Sequence, residues 1–154
     1  MRIECELLAA DSALVATVLS WHWDEWSGDH DDADFARWGA QLRSRCRADE
    51  IPFTLIARLD GEPVGCVTVC HDDDDQRFAD HSPWLSGVLV AARARALGVG
   101  RRLLEGAADR ARALGATELW LHTSGAARFY QRCGYQSAHA KDGLRDDAVL
   151  WIEL

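Results

Sequence analysis

Arg93, Arg95, Gly98, Gly100, Arg101 and Arg102 gather four arginines and two glycines into residues 93–102 of a chain whose formal net charge is −8. Glycine lets a backbone approach a ligand closely. The first amides of a helix lack intrahelical acceptors and lie at the positive end of the helix dipole. Where such amides meet cationic side chains, the turn is built to hold phosphate. The chemistry requires a strand ahead of the turn and a helix after it. Both are present: residues 84–90 are β-rich, and Gly100, Leu103, Leu104, Ala107, Ala108, Ala111 and Leu114 recur at three- and four-residue steps. Arg101, Arg102, Glu105, Asp109 and Arg112 fall on the opposite side of that helix.

Other phosphate-binding turns fit less well. Glu118 lies 20 residues after Gly98, near the spacing of the acid that binds a dinucleotide's ribose. However, Leu103 stands at the third glycine position, and Glu118 opens the next strand rather than closing it. No Gly-Lys-Ser or Gly-Lys-Thr appears, which excludes a Walker-type loop.

The remaining reactive residues carry weaker signals. Asp72, Asp73, Asp74 and Asp75 form an acidic run that lacks the glycine and glutamate of an EF-hand and reads as a solvated loop able to attract a cation. His22 and His30, set among Trp23 and Trp26, read as a packing cluster lining an acceptor pocket rather than a metal pair. Cys66 and Cys70 share one face of a strand and read as buried, inert thiols. On helical spacing alone Tyr130 is a core aromatic beside Phe129.

The elements that must position these residues follow from periodicity and breakers. Residues 2–8 read as a strand, and 12–26 as a helix capped by Asp11 or Ser12. The acidic stretch 29–34 breaks the pattern, and a second helix covers 35–47, with Gly39 as a weak point, before Pro52. Strands at 53–59 and 64–70 flank Asp60-Gly61, a tight-turn pair, and so form a hairpin. After the turn-like stretch 71–82 come the strand 84–90, the amphipathic helix ended by Gly115, a strand at 118–123 and a short helix at 126–133. Strands at 135–138 and 148–154 close the chain.

Two segments together resemble the GNAT acetyltransferase family. Val88-Leu89-Val90 followed by Arg95-Ala96-Leu97-Gly98-Val99-Gly100 is similar to its acetyl-CoA motif, Arg/Gln-x-x-Gly-x-Gly/Ala after a splayed strand. Downstream, Ala126-Ala127-Arg128-Phe129-Tyr130-Gln131-Arg132-Cys133-Gly134-Tyr135 resembles the family's Ala-x-x-Phe-Tyr-x-x-x-Gly-Phe/Tyr segment. Ala92, Ala96 and Thr123 depart from the residues many members carry. Residues 21–26 and 82–85, with Thr123, are similar to small bacterial members.

The resemblance implies an α/β domain spanning 1–154, with a mixed, largely antiparallel twisted sheet, helices on both faces and a splayed central strand pair. It implies acetyl transfer from acetyl-CoA to a primary amine by direct attack, with no metal. Val88, Leu89 and Val90 would pair with the pantetheine arm, with an amide near Leu89 on the thioester carbonyl. Arg95, Ala96, Leu97, Gly98, Val99, Gly100 and Arg101 would hold the pyrophosphate, with Thr123 also in the cofactor site. Tyr130 would donate a proton to the departing sulfur. No carboxylate lies in residues 85–90 to take the amine's proton, which leaves Asp80, His81, His71, Glu25 or a water on Ser86. That gap keeps open a rival reading, a non-catalytic acyl-CoA-binding or interaction module; Tyr130 speaks against it.

Composition bounds the partners. Hydrophobic residues at 48% and charged residues at 27% belong to an ordinary folded domain. The charge of −8 argues against nucleic acid and suits a cationic small-molecule acceptor. Five cysteines without metal-ligand spacing fit a reducing, cytoplasmic setting, and neither an export signal nor a membrane span is expected. A homodimer is compatible with the resemblance.

Overall fold

The computed structural model describes residues 1–72, 78–138 and 148–154. Their elements run β1 (Ile3–Leu7), α1 (Leu14–Trp26), α2 (Asp32–Ser44), β2 (Phe53–Leu59), β3 (Glu62–Cys70), β4 (Trp84–Val90), α3 (Val99–Ala113), β5 (Glu118–Thr123), α4 (Ala127–Arg132), β6 (Gln136–Ala138) and β7 (Ala148–Glu153). All seven strands form one sheet in the order β1-β2-β3-β4-β5-β7-β6. Neighbours are antiparallel except β4 and β5, which are parallel. The mixed sheet expected from the sequence is therefore present, and no helix among the described residues is long and apolar enough to cross a membrane.

Strand alternation gives the sheet two apolar faces. Phe53, Leu55, Ala57, Val67 and Val69 pack with Val99, Leu103, Leu104 and Ala107 of α3. Ile56 and Cys66 turn the other way, onto Val15, Val18, Leu19 and Leu42 of α1 and α2. Leu103 is fully buried, a burial that contributes roughly 1.5–3 kcal/mol for such a side chain. The β2–β3 hairpin turns on Asp60 (φ 49°) and Gly61 (φ 89°), the pair of left-handed residues a two-residue turn demands.

The starts of the first two helices differ from the sequence reading. Helix α2 starts at Asp32 rather than residue 35, because the acidic stretch is a cap rather than a break. The Asp34 amide donates to Asp31 Oδ1 (3.0 Å), and the Asp31 amide donates back to Asp34 Oδ2 (3.3 Å). Helix α1 starts at Leu14 with Ala13 at its N-cap and no side-chain cap, so neither Asp11 nor Ser12 is the cap residue; the Ser12 hydroxyl, one residue further out, accepts from the Leu14 amide at 3.1 Å. Gly39 is no weak point: a Cβ there would lie 3.1 Å from Leu19 Cδ2, so glycine lets α1 and α2 approach.

Candidate functional site

Parallel strands β4 and β5 share a single register pair, Trp84 with Trp120, reinforced by the Trp120 amide on the Pro83 carbonyl at 3.0 Å. The Trp84 indole is 2% exposed and packs in a cluster with Trp120, Cys70 and Val149. Past this wedge the two strands part. A cavity of about 620 Å³ opens there, lined by Ser86, Gly87 and Val88 of β4, by Thr123 at the end of β5 and by Tyr130 of α4. Its other wall comes from α1 and α2, through His22, Trp26, Trp38 and, just past α2, Arg45.

The β4 side of the cavity is bulged. Cys66 pairs with Leu89 and Thr68 with Ser86, so Val67 of β3 faces both Gly87 and Val88. Gly87 has φ 61°, and a Cβ there would come within 3.1 Å of His22 Nε2. Glycine is thus needed for both its backbone and its lack of a side chain. The Cys66 thiol donates to the Gly87 carbonyl at 3.5 Å and lies 3.5 Å from His22 Nε2. Burial lowers the His22 pKa to about 4, outweighing the opposing hydrogen bond to Gly87, so the ring is neutral at physiological pH. Burial likewise pushes the Cys66 thiol up to about 12, which leaves it inert.

His22 makes stability pH-dependent. The unfolded ring titrates near 6.5 and the folded ring near 4, so between these values the unfolded chain binds the extra proton and stability rises with pH. Acidifying from about pH 7 to pH 5 should cost about 2 kcal/mol through this residue. Urea unfolding of wild type and His22→Gln at both pH values checks this. The variant should lose about that much less on acidification, and equal losses would rule out the buried neutral ring.

After β4 the chain makes a helical turn at Ala92–Ala94 and reaches α3 through an exposed stretch. Ala96 (φ 62°) and Gly98 (φ 89°) are both left-handed. A left-handed alanine costs roughly 1 kcal/mol relative to glycine, which explains why glycine suits position 96. Gly98 caps α3 without a side chain. The first intrahelical bond runs from the Arg102 amide to the Gly98 carbonyl at 3.1 Å, leaving the Val99, Gly100 and Arg101 amides ahead of it. Arg95 Nε donates to the Val90 carbonyl (3.1 Å), Arg93 to the Pro63 carbonyl (3.1 Å) and Arg101 to the Arg132 carbonyl (3.0 Å). The last bond ties the start of α3 to the end of α4. A Cβ on Gly100 would meet Phe129 Cζ at 2.9 Å, so this glycine lets α4 close on α3.

That closure sets Tyr130. Its ring lies edge-on to Phe129 (5.1 Å) and Tyr135 (6.1 Å), and burial raises its pKa to about 12, with Cys133 adding to the rise. The phenol stays protonated throughout the physiological range. The Thr123 hydroxyl accepts from the Ala126 amide at 3.2 Å and so shapes the approach to α4.

The sequence-derived residues fall into three groups. Val88, Thr123, Tyr130 and Ser86 meet at the cavity. Leu89 and Val90 pair with Cys66 and Gly65 of β3, while residues 95–101 form the separate turn at the head of α3. Asp80, His81, His71 and Glu25 do not line the cavity: His81 stacks on Trp120 at 3.9 Å and meets Glu118 at 3.2 Å, and His71 Nε2 lies 3.1 Å from the Ile51 carbonyl. Asp72 does line it; Asp73, Asp74 and Asp75 lie outside the described residues. His22 and His30 part company. His30 packs on Trp23 and Trp38, whereas His22 contacts the β4 bulge, a role that no periodicity announces. Arg45 was also missed, since a single arginine near a helix end carries no motif. No group of three or more His, Cys, Asp or Glu side chains able to hold a metal occurs among the described residues.

No curated protein matches the chain in sequence. Among solved structures, a GNAT-family acetyltransferase from Streptococcus pneumoniae matches with TM-score 0.67 and 21% identity, over 99% of this chain and 100% of that one. An acetyltransferase from Streptococcus agalactiae gives TM-score 0.70 and 19% identity, over 99% and 98% of the two chains. An aminoglycoside 6'-N-acetyltransferase solved with coenzyme A gives 0.73 and 13%, over 100% and 96%. At these identities the likeness is one of fold. The profile of the acetyltransferase (GNAT) family, however, matches residues 15–135, most of the chain. The chain belongs to that family and is an acetyl-CoA-dependent N-acetyltransferase.

Proposed function

We propose that the protein acetylates a primary amine on a small molecule that is cationic in solution, by direct attack within the cavity between β4 and β5. The observation that carries this reading is the loss of β4–β5 pairing after Trp84 and Trp120, which opens a cavity with Tyr130 on its wall. The fit to the cofactor is good at two points. The Val99, Gly100 and Arg101 amides are free for a pyrophosphate, with Arg95 and Arg93 adding charge. Along residues 88–90, the β4 edge facing β5 has no strand partner, which suits the pantetheine arm, and an amide near Leu89 would polarise the acyl carbonyl. Acetyl-CoA supplies the activated acyl thioester; the chain's task is to hold it, receive the amine and manage two protons.

An alkylamine of pKa roughly 10.4 must first lose a proton, which costs about 4–5 kcal/mol at pH 7. Of the base candidates only Ser86 lines the cavity, so we assign the exit route to a water held by Ser86, with Asp72 also among the lining residues. Tyr130 then serves the departing sulfur. The five cysteines are free, which supports a reducing, cytoplasmic setting.

The charge of −8 and Asp72 on the cavity wall support a cationic acceptor. Polyamines, aminoglycosides, amino acids and peptides compared by CoA release provide the test. Net-cationic acceptors should be preferred, with a kcat/KM that falls several-fold as salt rises from about 0.05 to 0.5 M, because steering is screened. Preference for acidic or neutral acceptors would reject the reading.

A further inference from the structure

Arg45 follows α2 with its backbone pinned to the sheet. Its carbonyl accepts the Thr54 hydroxyl at 3.0 Å, and Thr54 shares a 2.8 Å hydrogen bond with Thr68. Both threonines are buried, at 0% and 3% exposure, so this polar pair holds the residue in one place. From there the half-buried Arg45 side chain lines the cavity.

Its guanidinium has no protein partner among the described residues. Arg2, Arg47, Arg58, Arg102 and Arg112 each lie within 3.5 Å of a carboxylate, and Arg93, Arg95 and Arg101 donate to carbonyls. Arg45 does neither. The cofactor's pyrophosphate does not account for it, because no residue of the 95–101 turn lines this cavity. A guanidinium in a partly desolvated wall presents its donors to whatever occupies the cavity.

The charge count selects the anion. Arg45 is the only arginine or lysine among the cavity's described lining residues, and His22 beside it is neutral. One fixed cation matches a monoanion, and its planar fork matches a carboxylate. A phosphate monoester, with nearly two charges, would be left under-neutralised. Asp72, which also lines the cavity, suits an ammonium.

We infer that Arg45 binds a carboxylate of the acceptor, which makes the acceptor an amino acid-like molecule bearing that carboxylate as well as its reacting amine. The inference rests on the amine-acetylation reading above and narrows it. Combined with a net-cationic acceptor, it points to dibasic amino acids.

The test compares matched pairs that differ only in the carboxylate: lysine with cadaverine, ornithine with putrescine, arginine with agmatine. CoA release is followed for wild type, Arg45→Gln and Arg45→Lys. Substitution leaves the backbone carbonyl that Thr54 holds, and unchanged acetyl-CoA affinity is the control for folding. Wild type should favour the carboxylate-bearing member of at least one pair by tenfold or more in kcat/KM. Arg45→Gln should raise KM for that member about tenfold while leaving its partner within twofold, and Arg45→Lys should recover part of the loss. The inference is overturned by equal or reversed preference in every pair, by a preference that survives Arg45→Gln, or by no turnover of any pair while acetyl-CoA binds. Failure of wild type to bind acetyl-CoA would instead remove the acetylation reading, and this inference with it.

Discussion

Gly98→Val should weaken acetyl-CoA binding at least a hundredfold while the protein stays folded. Gly98 sits at φ 89° and ψ 2°, a conformation that costs a β-branched residue roughly 1–2 kcal/mol. Space is not the obstacle, since the nearest atom to an added Cβ is Ile3 Cδ1 at 4.0 Å. The fold therefore carries modest strain and should melt only several degrees lower. Binding fares worse, because the new side chain and the relaxing backbone crowd the Val99, Gly100 and Arg101 amides. Hydrogen bonds to a charged group contribute roughly 1.5–3 kcal/mol each, and losing two of them exceeds a hundredfold in affinity. Gly100→Val is a poorer probe, as its Cβ would strike Phe129 and disturb packing as well. Calorimetric titration, with a melting curve as control, decides the matter. Wild-type affinity in Gly98→Val would dismiss the turn as the pyrophosphate site.

Tyr130→Phe should lower kcat by roughly 10–100-fold and leave acetyl-CoA affinity within about twofold. The ring's packing on Phe129 and Tyr135 survives; only the hydroxyl is lost. The size of the effect follows from the pKa near 12. Full proton transfer from such an acid to a thiolate of ordinary pKa, about 8.5, runs uphill by about 5 kcal/mol. In the proposed role Tyr130 would therefore act chiefly by donating a hydrogen bond as negative charge builds on sulfur. A hydrogen bond to a charged group contributes roughly 1.5–3 kcal/mol, hence 10–100-fold rather than more. Because it appears only in the transition state, the loss falls on kcat. Pre-steady-state kinetics would isolate the chemical step, and an unchanged rate there would reduce Tyr130 to a packing residue.

The elements legible in the sequence were those with local causes. Strands β4 and β5 match their expected limits because breakers or turns flank β-rich runs, and Asp60-Gly61 dictated its own hairpin. Helix α2 was misjudged at its start because Asp31 and Asp34 act through reciprocal side-chain bonds, which look like a charged break when only hydrophobic period is followed. The glycine turn at the head of α3 was legible because its glycines and consecutive amides are a local feature. The cavity wall was legible only in part: His22 and Trp26 of the expected cluster do line the cavity, but Arg45 and Gly87 were not anticipated. His22, Arg45 and Gly87 come from separate elements, and their meeting depends on the β4 bulge and on the Thr54–Thr68 pair, both products of tertiary register. The base candidates Asp80, His81, His71 and Glu25 were chosen by residue type, and the fold directs none of them to the cavity.

The central claim is that one ligand, acetyl-CoA, spans the open head of α3 and the parted strands. Titrating acetyl-CoA into isotopically labelled protein and following backbone amide resonances tests this residue by residue. The expected result is saturable shifts, largest at Val99, Gly100 and Arg101 and at Gly87, Val88 and Leu89, with one common dissociation constant. Saturable shifts centred on other residues, with these six amides unmoved, would contradict it.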